Sequence, residues 1–199
     1  MQENALNYLY MYMKGGKSVQ IIAEVKTQSP FGFKSDKTWD ELFAIVEKIG
    51  DVISIHTDRR WGGSMDLIKR ARSLTKKPIL AKGIHAIDDE VERAIAAGAD
   101  WVLVVGRMPG VHREKCLVEP LSLAELATIP VDMKAVWNAR DLATGGEKTE
   151  TFAQARAVCK GWLCQASHIR TVADIQAGAD AVIVGTHLEE FARSLSLSL

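Results

Sequence analysis

The chain has 199 residues, 47% of them hydrophobic and 25% charged, which fits one well-buried globular domain and is short for two. Lys plus Arg and Asp plus Glu balance at 25 each, so the net charge lacks the basic excess of a nucleic-acid binder or of a protein built for acidic membrane surfaces. No run approaches the roughly 18 to 20 apolar residues of a membrane span, and Cys116, Cys159 and Cys164 have neither CxxC spacing nor a histidine cluster, so free thiols are expected rather than disulfides or a metal site.

Residues 1–18 read as a short amphipathic helix through Leu6, Leu9, Tyr10 and Met13 that ends at Gly15-Gly16, ahead of a domain over residues 19–199. The segment has no basic leader region and no small-residue cleavage site, so a cytoplasmic protein is expected. The run Ile21-Ile-Ala-Glu-Val-Lys26 follows as a strand. Its period of two puts Glu24 and Lys26 on one face, where two buried charges must pair or meet a ligand. Thr38 is an N-cap for a helix through Leu42, Ile45, Val46 and Ile49 that stops at Gly50. Residues 51–58 read as a strand, 64–75 as a helix, 78–82 as a strand, 88–97 as a helix and 100–106 as a strand. Further on, strands are expected at 134–138, 162–166 and 181–185, with helices at 151–160, near 171–176 and through Leu188, Phe191 and Leu195; the tail from Ser194 reads as a frayed end.

Helices alternating with short β-branched runs imply crossovers in a parallel sheet. An internal repeat sets the strand count. Ala97-Gly-Ala-Asp-Trp-Val-Leu-Val-Val-Gly106 returns as Ala177-Gly-Ala-Asp-Ala-Val-Ile-Val-Gly185, about half a chain later. If the first copy is strand four, the second is strand eight, and the missing strand five falls at Cys116-Leu-Val-Glu119, followed by a helix from Ser122. The expected fold is α/β, a single (β/α)8 TIM barrel whose fourth helix is truncated between Arg107 and Lys115; the alternative is a seven-stranded sheet with 116–128 as helix four.

In such a barrel the ligand site lies at the carboxyl ends of the strands. Glu24, Lys26, His56, Lys82, Arg107, Glu119, Asn138 and Ser167 close those strands, and several ionisable groups at one mouth read as a ligand site. Ser167-His168 and Gly185-Thr186 precede the last two helices, a setting suited to phosphate. Arg107 reads either as an ion-pair partner of Glu119 or as a substrate ligand. His56, His85, His112 and His187 show no metal spacing, the tryptophans read as core or rim, and Gly145-Gly146 reads as a loop.

These residues also resemble a known family, indole-3-glycerol phosphate synthase, from about residue 20 to residue 190. Ile22-Ala-Glu-Val-Lys-Thr-Gln-Ser-Pro30 resembles its motif IAExKxxSP, and Ser54-Ile-His-Thr-Asp58 with Gly63-Ser64 is similar to its S-V-L-T-[DE]…GS stretch. Pro78-Ile-Leu-Ala-Lys82 looks like P-[VI]-L-x-K, Leu117-Val-Glu119 with Glu125-Leu126 like LVEVH…EL, Asn138-Ala-Arg-Asp-Leu142 like N-N-R-D-L, and Gly185-Thr-His-Leu188 like VG-x-x-L. Ala166 stands where the family has the Glu of E-S-G-I, His168 stands for its Gly, and Gly83-Ile84 follow Lys82 in place of Asp-Phe.

The resemblance implies ring closure, decarboxylation and dehydration of carboxyphenylamino-deoxyribulose 5-phosphate without a metal or organic cofactor. Lys82 would be the general acid, Lys26 would hold the substrate carboxylate, Glu119 and Glu24 would move protons, and Asn138 would orient a hydroxyl. Ser29, Ser167, His168, Gly185 and Thr186 would bind phosphate, with His56 and Arg107 as further substrate contacts. The expected partner is a phosphorylated small molecule, with no nucleic acid and no membrane, on a monomer or weak homo-oligomer. Rival readings are another phosphosugar isomerase or lyase on the same barrel, or a phosphate-ligand binder without turnover.

Overall fold

A computed structural model describes residues 18–195; the helix expected around Leu6, Leu9, Tyr10 and Met13 and the tail beyond Leu195 lie outside the described residues. Eight parallel strands close into a barrel in sequence order: β1 (Gln20–Val25), β2 (Val52–His56), β3 (Ile79–Lys82), β4 (Trp101–Val105), β5 (Cys116–Glu119), β6 (Lys134–Asn138), β7 (Leu163–Ala166) and β8 (Ala181–Val184), with β8 returning to pair with β1. Around it run α1 (Trp39–Ile49), α2 (Met65–Leu74), α3 (Asp88–Ala96), α4 (Leu123–Leu126), α5 (Phe152–Val158) and α6 (Leu188–Ser194). Strand five is where the repeat places it, which removes the seven-stranded alternative. The β4–β5 link holds only a 3-10 turn, Arg113–Lys115, in place of a helix.

Period-two alternation builds two cores at once. Every strand sends apolar residues inward, among them Ile22, Val52, Leu80, Leu103, Leu117, Val136, Cys164 and Ile183, and these fill the barrel interior. The intervening residues face outward onto the helices, where Ile53, Ile55, Val102, Val104 and Val184 pack with Val46, Ile68, Val91 and Phe191. Two residues beyond that inner layer, the same period brings Glu24, Lys82, Glu119 and Asn138 to the mouth, so the chemistry rests on the packed interior. The three cysteines are free and buried.

The repeat is also a repeat of contacts. Asp100 Oδ2 accepts the backbone N–H of Ile79 (2.9 Å) and Arg72 Nη1 (2.9 Å). Asp180 Oδ2 accepts the N–H of Leu163 (2.9 Å) and Arg156 Nη1 (3.1 Å). Arg72 and Arg156 then bond the carbonyls of Thr75 and Cys159 that end their own helices, and Gly98 (φ 110°) and Gly178 (φ 84°) lie against these two side chains at left-handed positions. Each clamp ties a helix end to the starts of two neighbouring strands. Asp180→Ala strips a strand N–H and a guanidinium of their shared acceptor, and a loss of about 2 kcal/mol is expected. Urea unfolding checks this.

One expected helix is absent. Residues 171–176 form only a 3-10 turn, Val172–Asp174, because the Gln165 side chain reaches out from β7, donating to Asp174 O (3.0 Å) and accepting from Gln176 N (2.9 Å). Asp174 Oδ2 takes the N–H groups of Arg170 and Thr171, which closes the turn on itself.

Candidate active site

Glu24 is the centre of the mouth. It is 2% exposed, yet each carboxylate oxygen has its own donor: His56 Nε2 at 2.8 Å on Oε1, and Lys82 Nζ on Oε2. Burial alone would raise its pKa, but the charge of Lys82 and the hydrogen bond from His56 outweigh that and hold the carboxyl well below its ordinary value. The close approach of the β8 end makes glycine necessary at 185, since a Cβ there would stand 2.6 Å from Glu24 Oε1.

Glu119 is equally buried and has the opposite electrostatics. Desolvation raises its pKa, and the Asn138 Nδ2 donor at 2.8 Å does not offset it. Asn138 Oδ1 in turn accepts from Ser167 Oγ (2.6 Å) and Arg140 N (3.0 Å), so the amide joins Glu119 to Ser167. Two carboxyls pushed apart in pKa at one mouth can divide acid and base work between them.

Lys26 donates to Thr186 Oγ1 (3.1 Å). Burial depresses this amine from 10.5 to about 8, Glu24 raises it, and Lys82 and Arg140 lower it further. The unfolded chain therefore binds more protons than the folded one between pH 8 and 10.5, so folding stability rises with pH across that window. Below pH 8 the full cost is present, about 3 kcal/mol. Lys26→Met is expected to gain roughly that stability at pH 7 and to lose the rise above pH 8. Thermal melts across pH 7 to 10 check both.

The mouth holds two joined cavities. One opens to solvent and is lined by Lys26, Lys82, Glu119, Asn138, Arg140 and His56, with Phe31, Trp61, Ile84, Leu103, Val105 and Leu142 as its apolar wall. The other is mainly polar and is lined by Glu24, Lys26, Lys82, Arg140, Ser167, His168, Gly185, Thr186 and His187, with Ile169 and Ile183. Ser167 and His168 both adopt left-handed backbone (φ 71° and 57°), so His168 occupies with strain a position that glycine takes freely. Its cations Lys26, Lys82 and Arg140 share the lining with the Glu24 carboxylate, and no long helix opens onto it: a 3-10 turn stands after β7, and α6 has seven residues. Among the described residues no group of three or more His, Cys, Asp or Glu could hold a metal ion.

Of the residues expected from sequence, Glu24, Lys26, His56, Lys82, Glu119, Asn138, Ser167, His168, Gly185 and Thr186 meet here. Ser29 and Arg107 do not. Ser29 sits in the loop after β1, where its Oγ accepts the N–H of Phe31 (3.3 Å), and it lines neither cavity. Past Gly106 (φ 66°) the chain turns outward, and Arg107 binds Asp88 Oδ1 (2.6 Å) and His85 O (3.0 Å); it pairs with neither Glu119 nor the mouth. Sequence reasoning misses Arg140, Phe31, Trp61 and Leu142. Arg140 carries a signal, since it stands within the Asn138-Ala-Arg-Asp-Leu142 motif two places past the strand end, and its guanidinium lies 5.5 Å from the Phe31 ring centroid. Gly83 is explained by packing, because a Cβ would strike Thr57 Oγ1, and Ile84 supplies apolar wall where the family motif has an aromatic.

Residues 2–124 match the model of the family indole-3-glycerol phosphate synthase. The chain belongs to the indole-3-glycerol phosphate synthase family. The indole-3-glycerol phosphate synthase of Parafrankia sp. is 31% identical over 194 residues, covering 84% of this chain and 71% of that protein. The protein of the same name from Sulfurisphaera tokodaii is 32% identical over 87 residues, 43% of this chain and 35% of its own length. The one from Aquifex aeolicus is 36% identical over 92 residues, 45% of this chain and 36% of its own length, so the chain matches only about a third of these two relatives. Among solved structures, 3-hexulose-6-phosphate synthase from Salmonella typhimurium superposes with a TM-score of 0.65 at 18% identity, over 89% of this chain and 99% of that one, a likeness of fold. No helix among the described residues is long and apolar enough to cross a membrane.

Proposed function

We propose that this family member is a carboxy-lyase that closes the ring of carboxyphenylamino-deoxyribulose 5-phosphate, with loss of CO2 and water. The observation that carries the reading is the opposed pair of buried carboxyls: Glu24 held ionised by Lys82 and His56, and Glu119 held toward its protonated form by burial. The polar cavity takes the phosphate through Ser167, His168, Gly185 and Thr186, and that grip sets the reacting end in the apolar-walled cavity. Lys82, charged and aimed by Glu24, protonates the ketone oxygen as the anilide ring attacks. Lys26 and Arg140 face both cavities and hold the carboxylate until CO2 leaves. Glu119 then protonates the departing hydroxyl, which leaves as water, and the carboxylate so formed takes the ring proton whose loss completes the indole, with Asn138 fixing its orientation.

Ala166 favours a second reading, a binder of the same phosphorylated ligand without turnover. It is a buried methyl at the inner end of β7, where the family motif has a carboxylate. The two readings separate in one assay: the chain is incubated with the anilide substrate and the indole product is followed by its fluorescence. Multiple turnovers support the lyase; tight binding of the substrate with no indole supports the binder.

A further inference from the structure

His56 has a place in the mouth that phosphate binding does not explain. It pairs in register with Lys82 across β2 and β3, and its Nε2 lies 2.8 Å from Glu24 Oε1 on the far side of that carboxylate from Lys82. It lines the cavity with the apolar wall and not the polar one. Trp61 stacks on the ring with an interplanar angle of 7°, and Gly63 lies so close to the His56 carbonyl that no side chain fits there, so ring and backbone are both held.

The protonation state follows from the partners. An ionised carboxylate only accepts hydrogen bonds, so Nε2 carries the hydrogen. Nδ1 is buried with no hydrogen-bond partner. A proton there would be a second buried donor without an acceptor, whereas a bare lone pair costs less. The facing charges are Glu24 from β1, Lys82 from β3, and Lys26 and Asp58 from the loops. Desolvation lowers the ring's pKa, and the two lysines add to that against Glu24.

We infer that His56 is a positioning residue of the proposed reaction: a neutral imidazole that donates Nε2–H to Glu24 Oε1 and so leaves Oε2 to aim Lys82 into the cavity. In the motif that Ser54-Ile55-His56-Thr57 resembles, leucine stands at this place, so the second hold on the carboxylate is a feature of this chain's own residues. With Ala166 removing one carboxylate from the mouth, Glu24 is left to face both Lys26 and Lys82, and its orientation counts for more.

This rests on the lyase reading, and its test separates the two. In His56→Leu, kcat is expected to fall about 30-fold with KM changed less than about threefold, because a misaimed group loses the step and not the grip. His56→Gln, whose amide can donate to the same oxygen, is expected to recover most of kcat. Nitrogen-15 NMR of the free protein at pH 7 is expected to show His56 neutral with hydrogen on Nε2, and Glu24→Gln to shift that signal. A raised KM with kcat retained would make His56 a substrate ligand and overturn the inference, as would a ring charged at pH 7 or carrying hydrogen on Nδ1. If the wild-type chain makes no indole, the lyase reading falls, and the positioning role in that reaction falls with it; the NMR result then decides the Glu24 clamp alone.

Discussion

Lys82→Ala is expected to lower kcat about 1000-fold, the upper part of the range for a positioned general acid. Lys82 is the donor on Glu24 Oε2, and its own ammonium faces the cavity beside Leu103 and Val105. The change removes the proton source and also strips a buried carboxylate of its nearest positive charge. Glu24 would keep His56 and the more distant Lys26, so a stability loss of roughly 3 kcal/mol is expected, the lower end for breaking a buried pair. The pH dependence has a definite sign. Glu24's folded pKa is depressed, so its contribution is present above the unfolded value of about 4.5 and is lost as pH falls through the folded one. Without Lys82 that depression shrinks, and acid unfolding begins at higher pH. Lys82→Met retains the apolar stem, and a similar kcat loss there assigns the effect to the ammonium; kcat at pH 7 and acid titration of both variants are the measurements.

Glu119→Gln is expected to lower kcat by about 100-fold to 1000-fold while making the protein more stable. The amide oxygen can still accept from Asn138 Nδ2, so the network through Ser167 survives. Burial raises the folded pKa of Glu119, so the folded state binds more protons than the unfolded one above pH 4.5, and stability falls as pH rises through that window. Glutamine removes that slope, and a gain of about 1 kcal/mol at neutral pH is the order expected when a desolvated carboxyl gives way to a neutral amide. Thermal melts from pH 4 to 8 and a pH–rate profile check the pair of effects. A loss of stability together with activity would mean that Glu119 is structural.

The barrel was legible because its strands are short β-branched runs between capped helices, and because the Ala-Gly-Ala-Asp repeat counted them. Strand five, too short to stand out by pattern, followed from that count. The position of Glu119 followed with it. The 3-10 turn at Val172–Asp174 was not legible, because it depends on the Gln165 side chain taking over backbone partners from another strand. Arg107 misled for a local reason: Val105 is the last residue of β4, opposite Glu119, and the left-handed Gly106 sends its successor outward. Glu24 and Lys26 were legible as two inward charges. Their division of labour was not, since Glu24 is held by Lys82 and His56, and Lys26 turns to Thr186 instead. Phe31 and Trp61 belong to loops whose approach to the mouth only the folded chain brings about: Trp61 stacks on His56, and Gly145 leaves no room for a side chain against Phe31.

The most direct test of the site as a working lyase is the release of labelled CO2 from substrate carrying carbon-13 in its carboxyl group. One labelled CO2 per indole formed, over many turnovers and abolished in Lys82→Ala, is the predicted result. Saturable binding of that substrate with the label retained in its carboxyl group would contradict it.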